Sequence, residues 1–150
     1  MSVIGKRVIY VGPADSAESK PLKVEGIAQD AVVAGTLVAQ SSAGLSTSAA
    51  AATAFSQQML VADKDEHRSR SVDDPWTVNE SMVAIAPRSG EFLNVMVAAG
   101  NNITSRGLPL TRNGAGMLAL AATDGTEQIL CYSDEIVNVT ANALVCVRIA

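Results

Sequence analysis

Apolar residues along this chain come in short bursts separated by polar breaks that carry Gly or Pro. Ser81-Met82-Val83-Ala84-Ile85-Ala86 and Phe92-Leu93-Asn94-Val95-Met96-Val97 are two such bursts, with Pro87-Arg88-Ser89-Gly90 between them. Proline presets φ and glycine accepts φ > 0, so this spacing predicts a β-hairpin. Asn113-Gly114 predicts a second tight turn, ahead of a strand over 117–121. Gly125 turns the chain into a strand over 128–132, and two more follow at 136–140 and 143–149. Earlier, Ala31-Val32-Val33-Ala34 leads into Gly35-Thr36-Leu37-Val38-Ala39, and Gln40-Ser41-Ser42-Ala43-Gly44 has the chemistry of a turn. Turns about every ten residues predict eight or nine short strands and an all-β fold, a small barrel or sandwich.

Three stretches depart from that rhythm. Residues 48–58 fit a short helix capped by Ser48, with Ala52, Phe55 and Met59 at helical spacing. They fit equally a loop before a strand over 58–62. Residues 63–74 hold Asp63, Lys64, Asp65, Glu66, His67, Arg68, Arg70, Asp73 and Asp74 with no apolar period, which predicts an exposed loop. Residues 1–25 read as an extended N-terminal arm with a strand-like patch at Val8-Ile9-Tyr10-Val11, and residues 26–150 as a single β-domain. At most one or two short helices are expected.

Composition narrows the function. The chain has 150 residues, enough for one domain with its own core. It is 48% apolar but 3% aromatic, so its core draws on Ala, Val, Leu and Ile. Net charge is −4, and the 11 Lys and Arg are scattered. A nucleic-acid binder would carry a basic face and stacking rings, so no nucleic-acid partner is expected. No apolar run approaches the ~18 residues of a membrane span, and no signal peptide is legible at the N-terminus. The expected compartment is a host cytoplasm, and no membrane partner is expected. Two cysteines, Cys131 and Cys146, make no disulfide framework and read as reduced residues in apolar strands, with a bridge left open.

Candidate chemistry is sparse. His67 follows Asp65 and Glu66, so a metal-assisted hydrolase can be drawn, but the three sit together in one charged loop and ligands usually converge from rigid elements. Neither cysteine lies in a nucleophile motif, and Asn113-Gly114-Ala115-Gly116 lacks the Gly-Lys-Ser/Thr of a phosphate loop. Asp73-Asp74 and Asp134-Glu135 read as solvated turn acids. No catalytic residue, metal or cofactor is assigned, and an enzyme is not expected. Trp76, the sole tryptophan, reads as a core plug or as an interface anchor.

Four segments carry a resemblance: Ala34-Gly35-Thr36-Leu37-Val38; Phe55-Ser56-Gln57-Gln58-Met59-Leu60-Val61-Ala62; Val95-Met96-Val97-Ala98-Ala99-Gly100-Asn101-Asn102-Ile103; and Gly107-Leu108-Pro109-Leu110-Thr111-Arg112-Asn113-Gly114-Ala115-Gly116. Over residues 26–150 the organisation resembles the small capsid decoration, or cement, proteins of tailed bacteriophages. The resemblance implies a β-tulip-like domain and a place on the outer surface of a virion. It implies a homo-oligomer, with a trimer favoured and a dimer as the other state, bound to the major capsid protein. In such proteins N-terminal arms bind the capsid protein or add strands to neighbours, so Val3, Ile4, Val8, Ile9, Tyr10 and Val11 would be the capsid-binding arm. Deleting residues 1–21 would then leave a folded domain that no longer binds capsids. A tail or spike component of a virion shares the same β-rich character.

Overall fold

A computed structural model describes residues 6–12, 21–55 and 57–150. Thirteen strands occur among them, and no helix. The first six are β1 (Tyr10–Gly12), β2 (Leu22–Ile27), β3 (Leu37–Ser41), β4 (Gly44–Thr47), β5 (Leu60–Ala62) and β6 (Ser81–Ala86). The others are β7 (Phe92–Val97), β8 (Asn101–Ile103), β9 (Pro109–Arg112), β10 (Leu118–Leu120), β11 (Cys131–Ser133), β12 (Val137–Val139) and β13 (Ala143–Ile149). The all-β expectation holds, and five strands close into a barrel in the order β7-β10-β9-β11-β13 and back to β7.

Alternation along the barrel strands fills its interior. Leu93, Val95 and Val97 of β7 point inward with Leu110, Leu118, Cys131, Val145 and Val147, all at most 1% exposed. Strand β13 pairs with β7 from Ala143↔Val97 to Arg148↔Phe92. The other edge of β7 is satisfied piecewise. The Asn94 amide donates to the Ile9 carbonyl at 2.7 Å, the Met96 amide to Gly35 at 2.9 Å, and the Ala98 amide to Leu118 at 2.9 Å. Three distant segments thus share one strand's backbone groups, which buried amides require.

A five-stranded antiparallel sheet, ordered β2-β6-β5-β3-β4, packs against the barrel. It curls until β4 returns beside the end of β2, where the Gln29 amide donates to the Leu45 carbonyl at 2.8 Å. At β5 both faces of the sheet are covered, and all three of its residues are buried. Leu37, Val61 and Ile85 join the barrel core. Val38, Leu60, Ala62, Met82 and Ala84 face a second core around Trp76. Alanines there leave room for an indole, so one large ring fills a cluster otherwise built from Ala, Val, Leu and Met side chains. Gly35 and Gly116 lie where the halves meet: a Cβ on Gly35 would press into Leu144, and one on Gly116 would lie 2.5 Å from Thr47 and 2.8 Å from Thr36. A small pair, β8 with β12, flanks the barrel.

Several expectations change. Strands 81–86 and 92–97 form with the expected limits, but they are not a hairpin. β6 pairs with β2 and β5, while β7 pairs with β1, β10 and β13. Local turn chemistry bends the chain, yet non-local partners on both strands win the pairing. The Asn113-Gly114 turn does join an antiparallel pair, β9 and β10. No helix forms in the described part of 48–58. The Arg112 guanidinium takes the carbonyls of Ala54 and Gln57, at 3.5 and 2.6 Å, and the Gln128 amide takes that of Ala52 at 2.9 Å. Those acceptors are the ones a helix would use internally. Ser48 still caps locally, its hydroxyl accepting the Ala50 amide at 3.2 Å.

Residues 63–74 form the expected loop, exposed at 66–69, 71, 73 and 74, but it is anchored at three buried positions. Asp63 is 5% exposed, Asp65 3% and Val72 7%. Val72 belongs to the barrel-side core. Arg70 binds Glu80 through two bonds of 2.9 and 3.0 Å, and Arg68 joins Asp65 and Glu80 at 3.2 Å each. Glu80 and Lys23, both outside the run, neutralise charges within it and anchor the segment on the domain. Strand β2 begins at Leu22, inside the stretch expected to be an arm.

Candidate interaction surface

Among the described residues no nucleophile, base or ligand cluster stands out. Asp65, Glu66 and His67 do not converge: Arg68 and Arg70 engage the Asp65 carboxylate. Among the described residues no group of His, Cys, Asp and Glu is arranged to hold a metal ion. Cys131 points into the barrel, and Cys146 alternates outward between Val145 and Val147, so the two lie on opposite sides of its wall as free thiols. Burial raises the pKa of both, which makes them poor nucleophiles.

Trp76 is 2% exposed, and its indole N–H donates to the Asp63 carbonyl at 2.7 Å. It is a core plug and offers no anchor to a partner. Of the six arm positions, Val3 and Ile4 lie outside the described residues. Ile9 is fully buried in the barrel-side core. Tyr10 donates its phenol proton to Glu91 at 2.6 Å, and Arg88 donates to the same carboxylate at 2.9 Å. Burial would raise the Glu91 pKa, but those bonds outweigh it and hold the carboxyl below its ordinary value. Val8 and Val11 remain at the surface, 45% and 48% exposed. The patch is therefore an integral edge strand on β7 with two outward valines.

A concavity lies between barrel and sheet. A groove of about 300 Å³ is walled by Val33 and Val72 from the sheet half and by Met96, Val137 and Leu144 from the barrel half. Lys6, Asp73 and Glu135 line it with charge. A second hollow of about 350 Å³ shares Val33, Met96 and Asn142 with it. Lys6 pairs with Glu135 at 3.2 Å, while the other Glu135 oxygen accepts the Cys146 amide at 2.7 Å. Next to that fixed carboxylate, Ile136 projects with 67% of its surface exposed.

The fold is similar to that of a phage head fiber base. It matches the head fiber gp8.5 N base of bacteriophage phi29 over 87% of this chain and 95% of the other, with a TM-score of 0.51 and 15% identity. At that identity the likeness is one of fold. No family model and no curated protein matches the chain.

The sequence reading had not singled out Val33, Met96 or Ile136. Each sits inside a burst that reads as strand, and an apolar residue in a strand carries no mark of which face it takes. The one available signal is Ile136 directly after the turn acids Asp134 and Glu135, a place where apolar side chains are seldom covered.

Proposed function

We propose that this chain is a structural component of a phage virion that binds the outside of the head as an oligomer and stabilises the shell of major capsid protein. The observation that carries the reading is the fold likeness to a phage head fiber base over nearly the whole of both chains. The likeness to a head component also favours the head over a tail or spike.

In this reading the residues before Lys6, with Val3 and Ile4, together with the exposed Val8 and Val11, supply the capsid contact. Several copies acting together give avidity from modest single sites. The test is cryo-electron microscopy of shells assembled from major capsid protein in the presence of this chain. Density for it on the outer face at a fixed symmetry position is the expected result. Bare shells beside free soluble protein would overturn the proposal.

A further inference from the structure

Of the seven asparagines, only Asn113 is followed by glycine; the others precede Glu80, Val95, Asn102, Ile103, Val139 or Ala143. That difference is chemical as well as conformational. The carboxamide carbon of an asparagine is open to attack by the peptide nitrogen of the next residue, and a Cβ on that residue stands in the way. Gly114 has no Cβ, and one built there would meet nothing within 4 Å.

The turn between β9 and β10 favours the same attack. Asn113, Gly114 and Ala115 are all exposed, so water reaches them. The Asn113 Oδ1 accepts the Ala115 amide at 2.8 Å and the Met117 amide at 3.1 Å. The first of these bonds closes an Asx-turn, which folds the carboxamide over the Gly114 peptide. Both donors draw electron density toward Oδ1, where negative charge would develop during attack on Cγ. The Gly114 amide donates to no acceptor among the described residues, so no hydrogen bond has to break before its proton leaves.

We infer that Asn113 is a site of spontaneous deamidation in the folded protein, and that its isoaspartyl product loosens the seam between barrel and sheet. Neither half rests on the virion reading. Hydroxide takes the Gly114 amide proton, and the nitrogen bonds to Asn113 Cγ. The Cγ–Nδ2 bond then breaks, and ammonia leaves with a proton from water, which restores the hydroxide. Water opens the resulting cyclic imide. Breaking its bond to Cγ gives aspartate. Breaking its bond to the main-chain carbonyl gives isoaspartate, in which the backbone runs through Cγ. The sum consumes one water and releases one ammonia, with no change of oxidation state.

The two products differ in what they do to the fold. Aspartate keeps an oxygen acceptor for the Ala115 and Met117 amides. Isoaspartate adds a methylene to the main chain just ahead of Gly116. That glycine lies so close to Thr36 and Thr47 that a Cβ would clash with both, and its carbonyl accepts the Leu37 amide of the sheet at 2.7 Å. A lengthened backbone displaces this contact between the halves.

The test is to hold the full chain, folded as judged by Trp76 fluorescence, in mildly acidic and mildly alkaline buffers and to follow tryptic peptides by mass spectrometry. Cleavage after Arg112 puts Asn113 in one peptide with Asn138 and Asn142, which serve as internal controls. The expected result is conversion of an amide to a carboxyl at Asn113, in two chromatographic forms, one of them a substrate for an isoaspartyl methyltransferase. The rate is expected to rise about tenfold per pH unit, as the deprotonated fraction of the amide does. The isoaspartyl fraction, separated by anion exchange, is expected to unfold at lower urea than fresh protein, while Asn113→Asp keeps the wild-type midpoint. An Asn113 that stays intact, or converts no faster than Asn138 and Asn142, overturns the site. An isoaspartyl fraction as stable as fresh protein overturns the loosening of the seam.

Discussion

Gly35 sits at φ +87, and its carbonyl accepts the Met96 amide of the barrel while its own amide donates to Ala62 of the sheet. One residue therefore stitches the halves together from both sides of its peptide. A methyl there would meet Leu144 and would also force an unfavourable backbone region. Gly90 has nearly the same φ, +86, with open space around its missing side chain. The pair separates backbone strain from steric clash. Gly90→Ala is expected to cost about 1–2 kcal/mol, from strain alone. Gly35→Ala is expected to cost about 2–4 kcal/mol, because overpacking adds to strain. Urea unfolding followed by Trp76 fluorescence would measure both, and equal costs would show that the Gly35 contact relaxes freely.

At the scale of the element, β1 decides what can be removed from the N-terminus. Ile9 is fully buried, the Asn94 amide and side chain hold the carbonyls of Ile9 and Val8, and Tyr10 is bound to Glu91. Deleting residues 1–21, which the sequence suggested would be harmless to the fold, would open the barrel core. Deleting 1–12 is expected to cost about 3 kcal/mol, from one buried Ile and the uncovered β7 backbone groups. A 1–12 deletion as stable as the full chain would mean that another segment takes over this edge.

On the scale of the whole molecule, acid should unlock the sheet side. Hydrogen bonds from the Arg70 guanidinium, then from the Thr77 amide, hold the Glu80 carboxyl at about 2, against 4.5 for a free one. The unfolded chain therefore takes up this proton first as pH falls. The stabilisation is present above about pH 4.5 and is lost progressively toward pH 2. Glu91, also lowered, adds in the same direction. The thermal midpoint is expected to fall across that window, and Glu80→Gln is expected to lower it at neutral pH while flattening its acid dependence. A Glu80→Gln variant with the wild-type acid slope would assign acid unfolding to other carboxylates.

The sequence by itself determined the all-β class, most strand positions and the limits of β6, β7 and β13, because alternation and turn residues act locally. It also carried the small-residue core, since 3% aromatic content leaves few other fillers. Tertiary structure alone decided which strands meet. The 81–86 and 92–97 strands went to separate sheets because their backbone groups found partners far along the chain. The polyalanine stretch lost its helix to Arg112 and Gln128, and the charged loop, exposed over most of its length as expected, is anchored through buried Asp65 and through Glu80, which Arg68 and Arg70 meet only in the folded chain. The candidate surface was illegible for the same reason. Val33, Met96, Val137 and Leu144 come to line one groove only when the barrel closes and the sheet lies against it.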